Sequence, residues 1–251
     1  MPADMKHADA AEAITGLLLK LRARDLVGSE EEEVLRASVS DLREHPEGRT
    51  IVRTGTTLSA STLLVDGIVC RYKDLADGQR QIMELHVAGD FVDLHGFLLK
   101  QLDHNVGAMT PVRVALFPHD AIRGITETHP HLGRMLWFST LLDAAIHREK
   151  ILSIGRRSAL ARIAHIFCEL LVRLRIVGLA DNEGYDLPLT QADLADVTGL
   201  TSVHVNRMLK KLRDENLLTF RGGKVRIGDW DRLQRVAEFD PTYLHLERRP
   251  R

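Results

Sequence analysis

The segment Leu189–Leu218 places the tightest constraint on this chain, because its residues specify two short helices with almost no slack between them. Thr190 stands three residues before Asp193, a hydroxyl and a carboxylate spaced to satisfy the open N–H groups of a helix's first turn. Gly199 ends that helix, since glycine enters the left-handed conformation without steric cost. Thr201 then caps a second helix. In it Val205, Met208, Leu209 and Leu212 follow the spacing of one buried face. Ser202, Val203, Asn206, Arg207 and Lys210 fall on the opposite side, free to enter a major groove. Immediately afterwards, Thr219–Ile227 reads as a hairpin turning at Gly222-Gly223, a basic wing beside the second helix.

Charge agrees with that geometry. The 251 residues carry 34 Lys plus Arg against 35 Asp plus Glu, a formal net charge of −1, which argues against a surface that is polycationic throughout. Resolved along the chain, residues 156–226 hold 12 basic and 8 acidic side chains, residues 1–155 hold 17 and 22, and residues 227–251 hold 5 and 5. Positive charge collects on the segment with groove-reading geometry, as phosphate contacts require.

Other classes are excluded by what the sequence lacks. A composition that is 44% hydrophobic and 27% charged is that of an ordered globular protein. The longest apolar runs are too short to span a bilayer, and residues 1–7 show no secretory pattern. Cys70 and Cys168 form neither a disulfide framework nor a Cys-rich zinc site, so reduced thiols and a cytoplasmic location are expected, with no metal site. No enzyme fingerprint of the HExxH, GxSxG, P-loop or dinucleotide-binding kind is present, so the chain is not expected to be an enzyme.

The remaining pattern changes along the chain. Ala10–Arg24 carries Ile14, Leu17, Leu18 and Leu21 on one helical stripe, and Ser29 before Glu30–Glu33 reads as a helix cap followed by acids. From Arg49 to Phe117, short β-type runs (Thr50–Val52, Thr62–Val65, Ile68–Lys73, Gln81–Val87 and Val112–Phe117) alternate with glycine turns, which predicts an antiparallel roll. Pro130–Ile154 is the longest helical pattern, with Leu132, Met135, Leu136, Leu142, Ala145, Ile146, Ile151 and Leu152 as its apolar seam. That seam reads either as a dimerisation spine or as one face packed inside the same subunit. After Gly155–Arg157, Ser158 caps a helix over Ala159–Arg175.

Together these features resemble the CRP/FNR superfamily of bacterial transcription regulators over residues 40–235, most specifically at Gln191–Leu218. The resemblance implies an α+β chain: an N-terminal helical segment (1–40), a cyclic-nucleotide-binding-like β-roll or double-stranded β-helix (41–128), a dimerisation helix (129–155), a winged helix-turn-helix (156–235) and a tail (236–251). It implies a homodimer on a palindromic operator in double-stranded DNA, RNA polymerase as a further partner, and a small-molecule effector in the roll. Arg207 matches the family arginine that reads guanine. Val203 stands where glutamate is frequent and can pack on a thymine methyl instead; Asn206 can read adenine. Thr190, Ser202, His204, Lys210, Lys211 and Arg221 are candidates for phosphate contacts.

The roll departs from the family's cyclic-nucleotide site. After Gly89-Asp90-Phe91, Leu94 falls where a glutamate binds the ribose, and Leu102-Asp103 where an Arg-Ser pair binds the phosphate, so cAMP is not the expected ligand. No cysteine precedes Cys70, which excludes the family's iron–sulfur oxygen sensor. Asp93, His95, Asp103 and His104 are the candidate effector residues, and no cofactor is expected. Two alternatives stay open: a haem-based gas sensor ligated by His95, and a ligand-binding module acting on a partner protein.

Overall fold

The computed structural model describes residues 9–250, which fall into two compact units. One contains residues 9–71, 85–144 and 246–250; the other contains residues 72–84 and 145–245. Expectations for residues 1–8 lie outside the described residues.

In the first unit, helical residues 9–13 lead into a helix over Thr15–Arg22, and a second helix spans Ser29–Ala37. Ile14, Leu17, Leu18 and Leu21 are buried as their spacing predicts, in one core with Leu63, Phe91, Phe117, Leu132 and Met135. Burying such side chains contributes roughly 1.5–3 kcal/mol each, so these helices are part of the unit's core. Gly16 presses on the Ala88–Asp90 turn: a Cβ there would lie 3.0 Å from the Gly89 nitrogen. Lys20, one turn on, pairs with Asp90, which also accepts from the Val87 N–H at 2.9 Å. The expected cap is displaced by one residue. Gly28 occupies the cap position, its N–H donating to Glu31 at 3.1 Å, and Ser29 begins the helix.

Seven strands follow: β1 (Asp41–His45), β2 (Thr50–Val52), β3 (Ala60–Asp66), β4 (Val69–Asp74), β5 (Arg80–His86), β6 (Asn105–Ala108) and β7 (Val112–Pro118). They form two sheets, ordered β1-β7-β3 and β2-β6-β4-β5. β7 pairs antiparallel with both neighbours, Leu42 opposite Ala115 and Leu63 opposite the same residue. Val52, Val69 and Val106 from one sheet share a core with Leu64, Val112 and Val114 from the other. This is the antiparallel roll. All five expected strands occur within a residue or two; β1, β6 and the helices Gly96–Leu99 and His119–Thr128 are additional.

The long helix spans Pro130–Arg156, running through Gly155 rather than stopping before it. Its apolar residues divide in the structure. Leu132, Met135, Leu136, Ala145 and Ile146 are buried within the subunit, whereas Trp137, Leu141, Ile151 and Leu152 are exposed, at 66%, 53%, 72% and 47%. The free apolar stripe is therefore centred on Trp137, Leu141 and Ile151, and only Ile151 and Leu152 of the expected seam belong to it.

In the second unit, Ser158 caps Ala159–Ile176 by accepting from the Ala161 N–H at 3.2 Å. A three-stranded sheet, ordered β8-β10-β9, is built from β8 (Gly184–Asp186), β9 (Leu218–Arg221) and β10 (Lys224–Ile227). The buried Tyr185 hydroxyl donates to the Phe167 carbonyl at 2.9 Å, fixing β8 on the Ala159–Ile176 helix. A helix over Trp230–Ala237 and a 3-10 turn over Pro241–Leu244 close the unit, and Tyr243 donates to Glu169 at 2.7 Å. The first half of the expected tail is thus folded structure.

Candidate nucleic-acid interface

The interface begins with a helix over Gln191–Thr198. Thr190 caps it: the Asp193 N–H donates to Thr190 Oγ1 at 3.1 Å, and the Thr190 N–H donates to Asp193 at 2.9 Å. The Thr190 hydroxyl also donates to the Asp193 carboxylate at 2.7 Å, so this candidate is committed to its cap. Gly199 adopts the left-handed conformation, φ 65° and ψ 36°, and Thr201 caps the recognition helix Ser202–Asp214.

Val205, Leu209 and Leu212 are buried and Met208 is half-buried, as the spacing predicts. Ser202, Val203, Asn206, Arg207 and Lys210 are exposed together on the outer face, Val203 at 81%. An apolar side chain that exposed adds little to the core and is open to contact. His204 lies beside them, half-buried, with Nε2 accepting from Arg207 Nη2 at 2.8 Å. Asn206 donates to Gln191 Oε1 at 3.0 Å. Lys211 lies 3.9 Å from Glu215 on the same helix, a loose pair that leaves its charge available. The wing turns at Gly222 and Gly223, both at positive φ, and exposes Arg221, Lys224 and Arg226.

Sequence reasoning missed what steadies the first of the two helices. The β4–β5 hairpin tip belongs to this same unit. Arg80 donates to Asp196 at 2.8 Å and to Asp193 at 3.3 Å, and Gln81 donates to the Asp196 carbonyl at 2.8 Å. Arg162 donates to the Thr198 carbonyl at 2.9 Å. The last carbonyls of a helix have no partner within it and carry partial negative charge; Gln81 and Arg162 supply donors there. Arg80 is 113 residues from Asp193, and nothing local in its sequence announces the contact.

The candidate effector residues divide. The His95 and His104 rings lie 5.3 Å apart, and His104 Nδ1 is 2.9 Å from the Asp103 carboxylate, whose side chain is largely exposed. Asp93 is separate: fully buried, it accepts the Thr62 N–H at 2.5 Å, and burial pushes its carboxyl up to about 6. Leu94 and Leu102 are buried in the core. A feature the sequence did not reveal is Arg71, also buried. It donates to the Val92 carbonyl at 2.8 Å and to Asp143 of the long helix at 2.9 Å. A positive group therefore reaches the Phe91–Asp93 stretch from the protein itself. Cys70 and Cys168 are both buried, and burial raises the Cys168 thiol well above its ordinary range. Among the described residues, no cluster of three or more His, Cys, Asp or Glu side chains is arranged to hold a metal, and no helix is long and apolar enough to cross a membrane.

A roll of two sheets, a long helix and a winged helix-turn-helix define a transcription regulator with a cyclic-nucleotide-binding-like domain. Residues 42–129 match the cyclic nucleotide-binding domain and residues 161–236 the Crp-like helix-turn-helix domain. The chain is 30% identical over 204 residues to the transcriptional activator protein FnrL of Cereibacter sphaeroides, covering 79% of this chain and 81% of that protein. It is 26% identical to the nitrogen fixation regulation protein FixK of Bradyrhizobium diazoefficiens, over 76% and 79% of the two chains. Among solved structures, FixK2 from Bradyrhizobium japonicum superposes with a TM-score of 0.72 at 25% identity, over 79% of this chain and 97% of that one. The c-di-GMP-responsive regulator CLP of Xanthomonas campestris shares the fold, with a TM-score of 0.60 at 19% identity over 78% and 97%. The chain belongs to the CRP/FNR family of transcription regulators.

Proposed function

We propose that the protein works in the cytoplasm as a homodimer that reads a palindromic operator in double-stranded DNA, with RNA polymerase as its protein partner. The observation that carries the reading is the outer face of the recognition helix, where Val203, Asn206, Arg207 and Lys210 stand exposed together. In this reading Arg207 takes a guanine and Asn206 an adenine, while Val203 meets a thymine methyl. Lys210, Lys211 and Arg221 sit on phosphates, with Ser202 hydrogen-bonding at the groove edge. The activator relatives support RNA polymerase as the second partner. Arg207→Ala is expected to reduce discrimination between the cognate operator and random duplex by about 1–3 kcal/mol, measured by fluorescence anisotropy. Equal weakening on both DNAs would overturn the base-reading role.

The exposed stripe of Trp137, Leu141 and Ile151 supports the dimer. Trp137→Glu is expected to yield a folded monomer by light scattering with unchanged circular dichroism, and a persistent dimer would refute the stripe. We take the sensor to be free of cAMP. Leucines occupy the ribose-glutamate and phosphate-arginine positions, and Arg71 already occupies a polar position beside Val92. The His95 ring packs on His104, which is itself held by Asp103; this supports a structural role for His95 over haem ligation.

A further inference from the structure

Two hydrogen bonds on the recognition face involve residues that no base contact requires. Arg207 donates from Nη2 to His204 Nε2 at 2.8 Å, and Asn206 donates from Nδ2 to Gln191 Oε1 at 3.0 Å. A guanidinium carries donors and no acceptor, so in this bond His204 Nε2 is the acceptor. His204 lies three residues before Arg207, on the adjoining helical turn, and so draws the guanidinium back toward the helix N-terminus. That end of a recognition helix is the one that contacts base edges.

What each bond leaves free is the telling feature. A bidentate grip on guanine uses two of the five guanidinium N–H groups, and the bond to His204 occupies only one of the others. A bidentate grip on adenine needs Oδ1 and one Nδ2 hydrogen of asparagine, and Gln191 occupies only the second hydrogen. Both readers are tethered and both keep a complete recognition set. We propose that His204 and Gln191 are positioning residues, His204 for Arg207 and Gln191 for Asn206, which preset the readers before DNA arrives and thereby sharpen base choice. An untethered arginine must surrender its rotamer freedom on binding, whereas a held one has already done so. The proposal rests on Arg207 and Asn206 being base readers.

The test is selection from a duplex library randomised over the half-site, using the full-length protein and its variants. His204→Ala is expected to lower the preference at the position read by Arg207 by about fivefold, beyond any uniform loss on mixed-sequence duplex from a phosphate contact of its own. His204→Gln restores an acceptor and is expected to recover most of that preference. Gln191→Ala is expected to act in the same sense at the Asn206 position only. An unchanged preference in His204→Ala, or equal losses in the Ala and Gln variants, overturns the positioning role and leaves Arg207 as a reader. A preference untouched by Arg207→Ala overturns the base-reading assignment itself, and the positioning role with it.

Discussion

The roll and the winged helix-turn-helix handle charge in opposite ways. In the roll the notable charged groups lie inside: Arg71 against Asp143 and the Val92 carbonyl, Asp93 on the Thr62 N–H, Lys20 on Asp90. On the recognition helix Asn206, Arg207, Lys210 and Lys211 stand in water, tied at most by single light contacts. A buried charge must be fully compensated by its surroundings, so it becomes part of the architecture. An exposed one costs little to keep and stays available to a partner. Side chains of the same kind therefore mean structure in one region and availability to a partner in the other.

Breaking the interior pair gives the largest expected effect. Arg71→Met removes the buried guanidinium that Asp143 and the Val92 carbonyl share and is expected to cost about 3–5 kcal/mol, read from the urea unfolding midpoint. A loss below about 1 kcal/mol, the ceiling for a surface pair, would dissolve the contrast.

Asp93 sharpens the comparison through pH. Its folded carboxyl titrates at about 6, above the ordinary 3.8. Between those values the folded chain holds a proton that the unfolded chain has released, so this group's contribution to stability falls as pH rises through the window. Asp93→Asn keeps an oxygen for the Thr62 N–H and cannot ionise. Relative to wild type, it is expected to gain about 1–3 kcal/mol between pH 4 and pH 7 in paired denaturation curves. A constant difference would show that Asp93 titrates normally.

On the winged helix-turn-helix the same measurement is expected to register almost nothing. Arg207→Ala should move stability by less than about 0.5 kcal/mol, while binding discrimination changes as proposed above. A large unfolding shift would make Arg207 structural after all.

The two regions also differed in how far their residues announced them. The helix-turn-helix and wing were readable because their signals are local: Thr190 with Asp193, Gly199, Thr201 and Gly222-Gly223 each act within a few residues. β1 was not, since Asp41-Leu42-Arg43-Glu44-His45 has no apolar alternation and becomes a strand through its pairing with β7. Arg71 and Asp143 meet across 72 residues, a distance no spacing rule covers. The long helix shows a subtler limit. Periodicity located an apolar face, yet most of that face is covered from within, and only Ile151 and Leu152 of it join Trp137 and Leu141 in the exposed stripe. A repeat reports that a surface must be buried and is silent about which neighbour buries it.

The hairpin of β4 and β5 has a consequence for dynamics. Its base forms part of the four-stranded sheet, while residues 72–84 at its tip belong to the unit that contains the recognition helix. Amide protons along these two strands will therefore not exchange with solvent as one cooperative block. Those near Val69 will follow the opening of the roll, and those near Arg80 and Gln81 will follow the opening of the helix they grip. One continuous pair of strands thus carries two different lifetimes, and the residue at which they change over marks where the two units part.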